Sequence, residues 1–163
     1  MGILDSITSL MGKSAPVDES RWIMLDVETS GLDMQKDSLL AIAAIAMRVD
    51  WKSKSLTIDI GDSFEVVLQQ EQRGGVDPKI ALLAFNTFVG SSPLLAFHAA
   101  FDETMIKRHQ RQYLNSEIGN SWLDIDHLCA VTYEKVRARA LDDWMTYFGI
   151  TCAVRHQAAA DTL

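Results

Sequence analysis

Four carboxylates and one histidine, in three separated stretches, stand out as candidate metal ligands and proton carriers. The first pair is Asp26 and Glu28, at the end of the apolar run Trp22 to Leu25 and just before the turn Thr29-Ser30-Gly31. Side chains two apart on a strand share a face, so both carboxylates converge on one point. Such close acids repel unless a cation lies between them, and oxygen-only ligands suit a hard divalent ion, Mg²⁺ or Mn²⁺, rather than Zn²⁺. On this stretch alone, solvated acids at a strand edge are an equally open reading. Asp102 closes the run His98-Ala99-Ala100-Phe101-Asp102; standing alone it reads as a ligand or as a helix N-cap. The last stretch, Arg155 to Asp161, adds His156 and Asp161. On one regular helix those two would point roughly 140° apart, so His156 is assigned to the loop and Asp161 to the helix after it. The other histidines, His98, His109 and His127, read as structural or surface residues.

Periodicity shows which strands and helices carry these groups. Trp22 to Leu25 is a buried strand. Leu39 to Val49 is almost continuously apolar, as expected of a strand covered on both faces. Leu56 to Ile60 and Phe64 to Leu68 flank Gly61-Asp62 and are expected to form a hairpin on it. Gln69 to Val76 is loop, and Asp77-Pro78 starts a helix whose apolar stripe is expected to run through Ile80, Leu83, Ala84, Thr87 and Phe88. Pro93 to Phe97 is a short buried strand. Helices follow near Asp102 to Leu114 and Asp126 to Val136, and a last one carries Leu141, Trp144, Met145 and Phe148, ended by Gly149. Strands first, then helices alternating with single strands, predict an α/β fold with a mixed sheet flanked by helices. Ligands gather at strand C-terminal ends in such sheets, which is where Asp26, Glu28 and Asp102 fall.

A chain of 163 residues, 48% hydrophobic, can bury one core without disulfides or metal. A net charge of −7 argues against a duplex coater with a broad basic face, but not against a nucleic-acid enzyme whose bound cations attract phosphates locally. Cys129 and Cys152 have no metal-ligand spacing, so a reducing, cytoplasmic setting is expected, and no stretch is long and apolar enough to span a membrane. Residues 1–20 read as an N-terminal extension containing an amphipathic helix through Ile3, Leu4, Ile7, Leu10 and Met11.

Asp26-Val27-Glu28-Thr29-Ser30-Gly31-Leu32, then His98 to Asp102, then His156 followed by Asp161, resemble the three motifs of the DEDDh 3′–5′ exonucleases. That family includes polymerase proofreading subunits, oligoribonuclease and ribonuclease T. Leu123-Asp124-Ile125-Asp126 and Leu141 with Trp144 agree as weaker landmarks. The resemblance implies a ribonuclease-H-like fold for a single exonuclease domain over 21–163. Two departures stand out: Phe97-His98-Ala99 occupies a place where relatives carry Gly-His-Asn, and a His-Gly-Ile turn is absent between Gln72 and Arg73. The chain is therefore expected to lack residues there and after Leu163, leaving the C-terminal helix incomplete.

By the same resemblance, the reaction is two-metal phosphodiester hydrolysis that releases 5′-mononucleotides from a single-stranded DNA or RNA 3′ end. Asp26, Glu28, Asp102 and Asp161 would hold two Mg²⁺ or Mn²⁺, and His156 would be the general base. Thr29, Ser30, Leu32 and Arg155 would touch the substrate. Lys107, Arg108 and Arg111 are further candidates for phosphate contacts, although a charged outer helix face accounts for them equally well. A polymerase or a second copy of the chain remains open as partner. The alternative in another class is a non-catalytic nucleic-acid-binding or polymerase-associated module of the same fold.

Overall fold

The computed structural model describes residues 18–70, 74–138 and 140–151. The amphipathic stretch Ile3 to Met11, the Gln72–Arg73 junction, Cys152, and Arg155, His156 and Asp161 all lie outside the described residues. Five strands, β1 (Arg21–Thr29), β2 (Leu39–Asp50), β3 (Ser55–Val67), β4 (Leu94–Ala96) and β5 (Trp122–Asp124), alternate in the second half with four helices. These are α1 (Pro78–Val89), α2 (Ala99–Leu114), α3 (Ile125–Thr132) and α4 (Leu141–Phe148). The sheet order is β3-β2-β1-β4-β5, with β1, β2 and β3 antiparallel and β1, β4 and β5 parallel. The expected mixed sheet is present. Among the described residues no helix is long and apolar enough to cross a membrane.

Alternation builds the core. Ile23, Leu25 and Val27 of β1 point to one face and are buried, whereas Trp22, Met24, Asp26 and Glu28 between them are half-buried. The first set joins Ile42, Ala44 and Ala46 of β2 and Leu94 and Ala96 of β4 against Leu82, Phe85 and Val89 of α1 and Ile106 of α2. β2 is buried along most of its length, as its continuous apolar run predicts.

Two expectations are overturned. Gly61-Asp62 is not a hairpin turn: β3 runs through it as one strand, and both halves pair with β2 instead of with each other. The register skips from Ala46–Asp59 to Ile45–Ser63, so Ile60, Gly61 and Asp62 are a bulge. Arg21 holds it open, its Nε and Nη2 donating to the Asp62 carboxylate at 2.7 and 2.8 Å while its guanidinium stacks over Phe88. The actual turn is at Trp51–Lys54, where the Asp50 carboxylate accepts from the Lys52 and Ser53 amides and Lys54 takes a left-handed φ of 55°. The second correction concerns α1, which buries Ala81, Leu82, Phe85 and Val89 while Ile80 and Leu83 are exposed. This helix is apolar nearly all round, so period alone does not choose its inner stripe; the sheet takes the face carrying Phe85. Its start is as expected, with Asp77 accepting from the Lys79 and Ile80 amides and Pro78 at the first position.

β5 is a strand that was not anticipated, since unlike the equally short β4 it has only Trp122 and Leu123 as an apolar run, between Ser121 and Asp124. Its Asp124 caps α3 by accepting from the Asp126 amide, and α3 ends at Thr132, four residues short of Val136. Of the expected stripe in α4, Trp144 is buried and Leu141 and Met145 are half-buried, whereas Phe148 is exposed; Gly149 closes the helix at φ 68°.

Candidate active site

Parallel pairing of β1 with β4, Ile23 beside Leu94 and Met24 beside Leu95, brings their C-terminal ends to one edge of the sheet. Asp26 and Glu28 lie near the end of β1, still paired with β2. Past β4 the chain turns through Phe97 and His98 into α2. His98, not Asp102, is the N-cap, in a left-handed conformation (φ 60°) that a non-glycine residue adopts uncommonly. Its amide donates to Asp124 Oδ1 at 3.2 Å, tying the turn to β5. α2 therefore begins three residues earlier than expected, and the N-cap reading of Asp102 is excluded. The carboxylate lies instead inside the first helical turn, facing back toward β1, and is 3% exposed.

The buried polar side chains separate this residue from its neighbours. On the same helix face, His109 Nε2 accepts from the Leu39 amide and its Nδ1 meets the Met105 carbonyl, at 3.0 and 2.8 Å. Gln110 donates to Asn86 and accepts from the Ile118 amide. Both are satisfied structural residues, as expected for His109. Asp102 Oδ1, in contrast, is buried with no hydrogen-bond partner. Burial foremost, then the charge of Asp26 and, more weakly, that of Asp124, push its carboxyl up to about 8, although backbone amides at Asp102 and Val27 pull the other way. A carboxylate so placed ionises readily only if a cation compensates it. Among the described residues no group of three or more histidine, cysteine or acidic side chains is gathered as a metal site. Asp26 and Asp102 are oxygen donors near enough for their charges to interact, and one Asp102 oxygen has no hydrogen-bond partner, which fits a hard divalent cation.

The remaining sequence-selected residues divide clearly. The Thr29 hydroxyl donates to the Gly31 carbonyl at 2.8 Å, and the Ser30 hydroxyl donates to Asp37 and accepts from the Ser38 amide. Leu32 is 85% exposed on the loop beyond them. The basic residues of α2 are engaged elsewhere: Lys107 with Glu103, Arg111 with Glu117, and Arg108 with the carbonyls of Gln35 and Asp37. That favours the structural account of these cations. Asp124 was missed as a neighbour of Asp102; its position after the run Ser121-Trp122-Leu123 was the available signal. Asp37 was missed as well, because only the folded loop shows what it gathers.

No protein-family model matches the chain. It is 24% identical over a 174-residue alignment to the PolC-type DNA polymerase III of Caldanaerobacter subterraneus subsp. tengcongensis, covering 96% of this chain and 12% of that protein. The Clostridium perfringens PolC-type polymerase III is also 24% identical, over 152 residues, 88% of this chain and 10% of the relative. The chain thus spans about a tenth of the length of these curated relatives. Among solved structures, E. coli exonuclease I with a dA16 oligonucleotide superposes at a TM-score of 0.67 with 18% identity, over 88% of this chain and 38% of that one. Its zinc-ion-bound complex with single-stranded DNA gives 0.66 and 18%, over the same shares of the two chains, 88% and 38%. Exonuclease I of Methylocaldum szegediense gives 0.64 and 18%, over 87% and 38%. The sheet and its flanking helices are those of the exonuclease I structures, a ribonuclease-H-like fold, and in sequence the chain is similar to a segment of the PolC-type polymerases.

Proposed function

We propose that this chain is a metal-dependent 3′–5′ exonuclease that removes 5′-mononucleotides from the 3′ end of single-stranded nucleic acid. The observation that carries the reading is Asp102: a buried carboxylate with an orphaned oxygen, beside Asp26, at the edge where β1 and β4 end. Stability alone gives no reason to keep an acid there, whereas cation binding does. The relatives point the same way, since exonuclease I has been solved on an oligonucleotide and the curated relatives are polymerases.

Asp26, Glu28 and Asp161 would hold one divalent ion, and Asp26 with Asp102 a second. Mg²⁺ or Mn²⁺, when bound, supplies Lewis-acid charge to the scissile phosphate and lowers the pKa of water. His156 takes the proton of the attacking water, and the bond from phosphorus to the 3′ oxygen of the preceding nucleotide breaks. Leu32 lies under the terminal base, Thr29 and Ser30 meet the terminal nucleotide through their backbone, and Arg155 meets a phosphate. Residues 21–163 act in this as one exonuclease domain.

The test offers 5′-labelled single-stranded DNA, RNA and a dinucleotide in Mn²⁺. Stepwise shortening from the 3′ end that stops in EDTA is expected. Binding without shortening would replace this reading with the non-catalytic module.

A further inference from the structure

The loop that leaves β1, residues 30–38, is fastened at more points than a strand connection needs. Asp37 is its hub: one carboxylate oxygen accepts from the Ser30 hydroxyl and the other from the Asp33 amide, both at 2.8 Å. Gly31 packs so closely on that carboxylate that an added Cβ would sit 2.6 Å from it. The Ser30 hydrogen bond first, then the Asp33 amide and the Arg108 charge, hold the Asp37 carboxyl below the usual range, so the hub is charged at neutral pH. From outside the loop, Arg108 of α2 donates to the Gln35 carbonyl at 2.9 Å and to the Asp37 carbonyl. The next residue, His109, takes the Leu39 amide where the loop enters β2. The helix that carries Asp102 therefore grips the loop along its second half.

The fastening leaves Leu32 and Met34 outward, 85% and 40% exposed. An apolar side chain on a loose loop needs no explanation, but two on a loop braced by the half-buried Arg108 offer apolar surface in a held position. That surface lies a few residues beyond Glu28. Bases stack on such surfaces whatever their sequence, because every base has an apolar face.

We propose that Arg108 and Asp37 are positioning residues that hold loop 30–38 against α2, so that Leu32 and Met34 form a preformed rest for the terminal base beside Asp26 and Asp102. This rests on the exonuclease reading and deepens it. Arg108 acts through the loop and touches no phosphate. Lysine cannot replace it, since one ammonium does not span two carbonyls as a planar guanidinium does.

The test is a double-variant cycle on the full chain, with KM and kcat on single-stranded DNA in Mn²⁺ and folding checked by circular dichroism. Arg108→Ala should raise KM roughly tenfold with a smaller change in kcat, as loss of a charged brace does. Arg108→Lys should behave like the alanine variant, and millimolar guanidinium ion should restore part of the loss in Arg108→Ala. The deciding result is the coupling: Leu32→Ala should raise KM several-fold in the wild type and have almost no effect in the Arg108→Ala background. A general loss of stability would leave the Leu32 effect intact. Should Arg108→Ala not fold, Asp37→Asn supplies the same cycle from the loop's own side. Wild-type turnover with additive Arg108 and Leu32 effects overturns this inference alone, whereas a wild-type protein that shortens no substrate overturns the exonuclease reading and this inference with it.

Discussion

Leu25 and Asp26 are adjacent on β1, yet they face environments that use side chains in opposite ways. Leu25, with Ile23 and Val27, is sealed against α1 and α2, where every methylene removed from water adds stability. Asp26 faces the other side, near enough to Asp102 to raise its carboxyl, and there each added negative charge makes ionisation of the next harder. One face holds the fold together. The other is held in place by it, at some cost to stability, on a strand whose register with β2 is regular from Arg21 to Glu28 and shifts only at Thr29.

Substituting the two neighbours should separate these roles most sharply. Asp26→Ala should reduce cleavage to background while leaving the melting temperature in EDTA unchanged or higher, because a repelling charge has gone. Leu25→Ala should do the reverse, losing about 2–5 kcal/mol of stability while the fraction that stays folded keeps its turnover. Paired melting curves and active-fraction kinetics check both. An Asp26→Ala protein with near-normal rates would move the site away from this edge.

Removing the cation should have an effect as large as removing Asp26: activity should vanish in EDTA and return with Mn²⁺ or Mg²⁺. Next in size is His156→Ala, expected to lower kcat by about 10²–10⁴-fold while metal and oligonucleotide affinities stay near wild type. The rising limb of the pH–rate profile should flatten in that variant. Unchanged turnover, or lost metal binding as the main defect, would assign the residue to structure or ligation.

Much of this contrast was legible in the sequence. Alternation places Asp26 and Glu28 together opposite Leu25, and the apolar run of β2 shows that it lies inside the sheet. The hairpin at Gly61-Asp62 failed because Gly-Asp chemistry suits a turn and a bulge alike. The deciding partner, Arg21, is far away in sequence and visible only once β1 lies across β2. The inner face of α1 failed for a related reason: Ile80 and Phe85 are both apolar, so the choice is made by sheet geometry and not by pattern. Asp102 was singled out in the sequence, but its burial inside the first turn of α2 depends on the left-handed His98 ahead of it, a conformation that stays uncommon even for histidine. Arg108 and Asp37 were illegible as a brace, since carbonyl acceptors leave no trace in a sequence.

The smallest effect expected is also the one that most directly measures the strain on the acidic face. Folded Asp102 has its carboxyl at about 8 against an ordinary 3.8, so between those values the folded chain keeps a proton that the unfolded chain releases. The unfolded state then binds fewer protons, and the stability of the ion-free protein must fall as pH rises from about 4 to about 8. Asp102→Asn removes the titrating group while keeping its shape. In EDTA at pH 8 the variant should therefore melt higher than wild type, and the two curves should converge toward pH 4. Adding Mn²⁺ at pH 8 should reverse the order, because the ionised carboxylate regains its partner and the amide does not. Scanning fluorimetry across pH, with and without the ion, measures both slopes. Parallel curves for the two proteins in EDTA would mean that Asp102 carries no buried charge penalty, and the acidic face would lose the property that distinguishes it from Leu25.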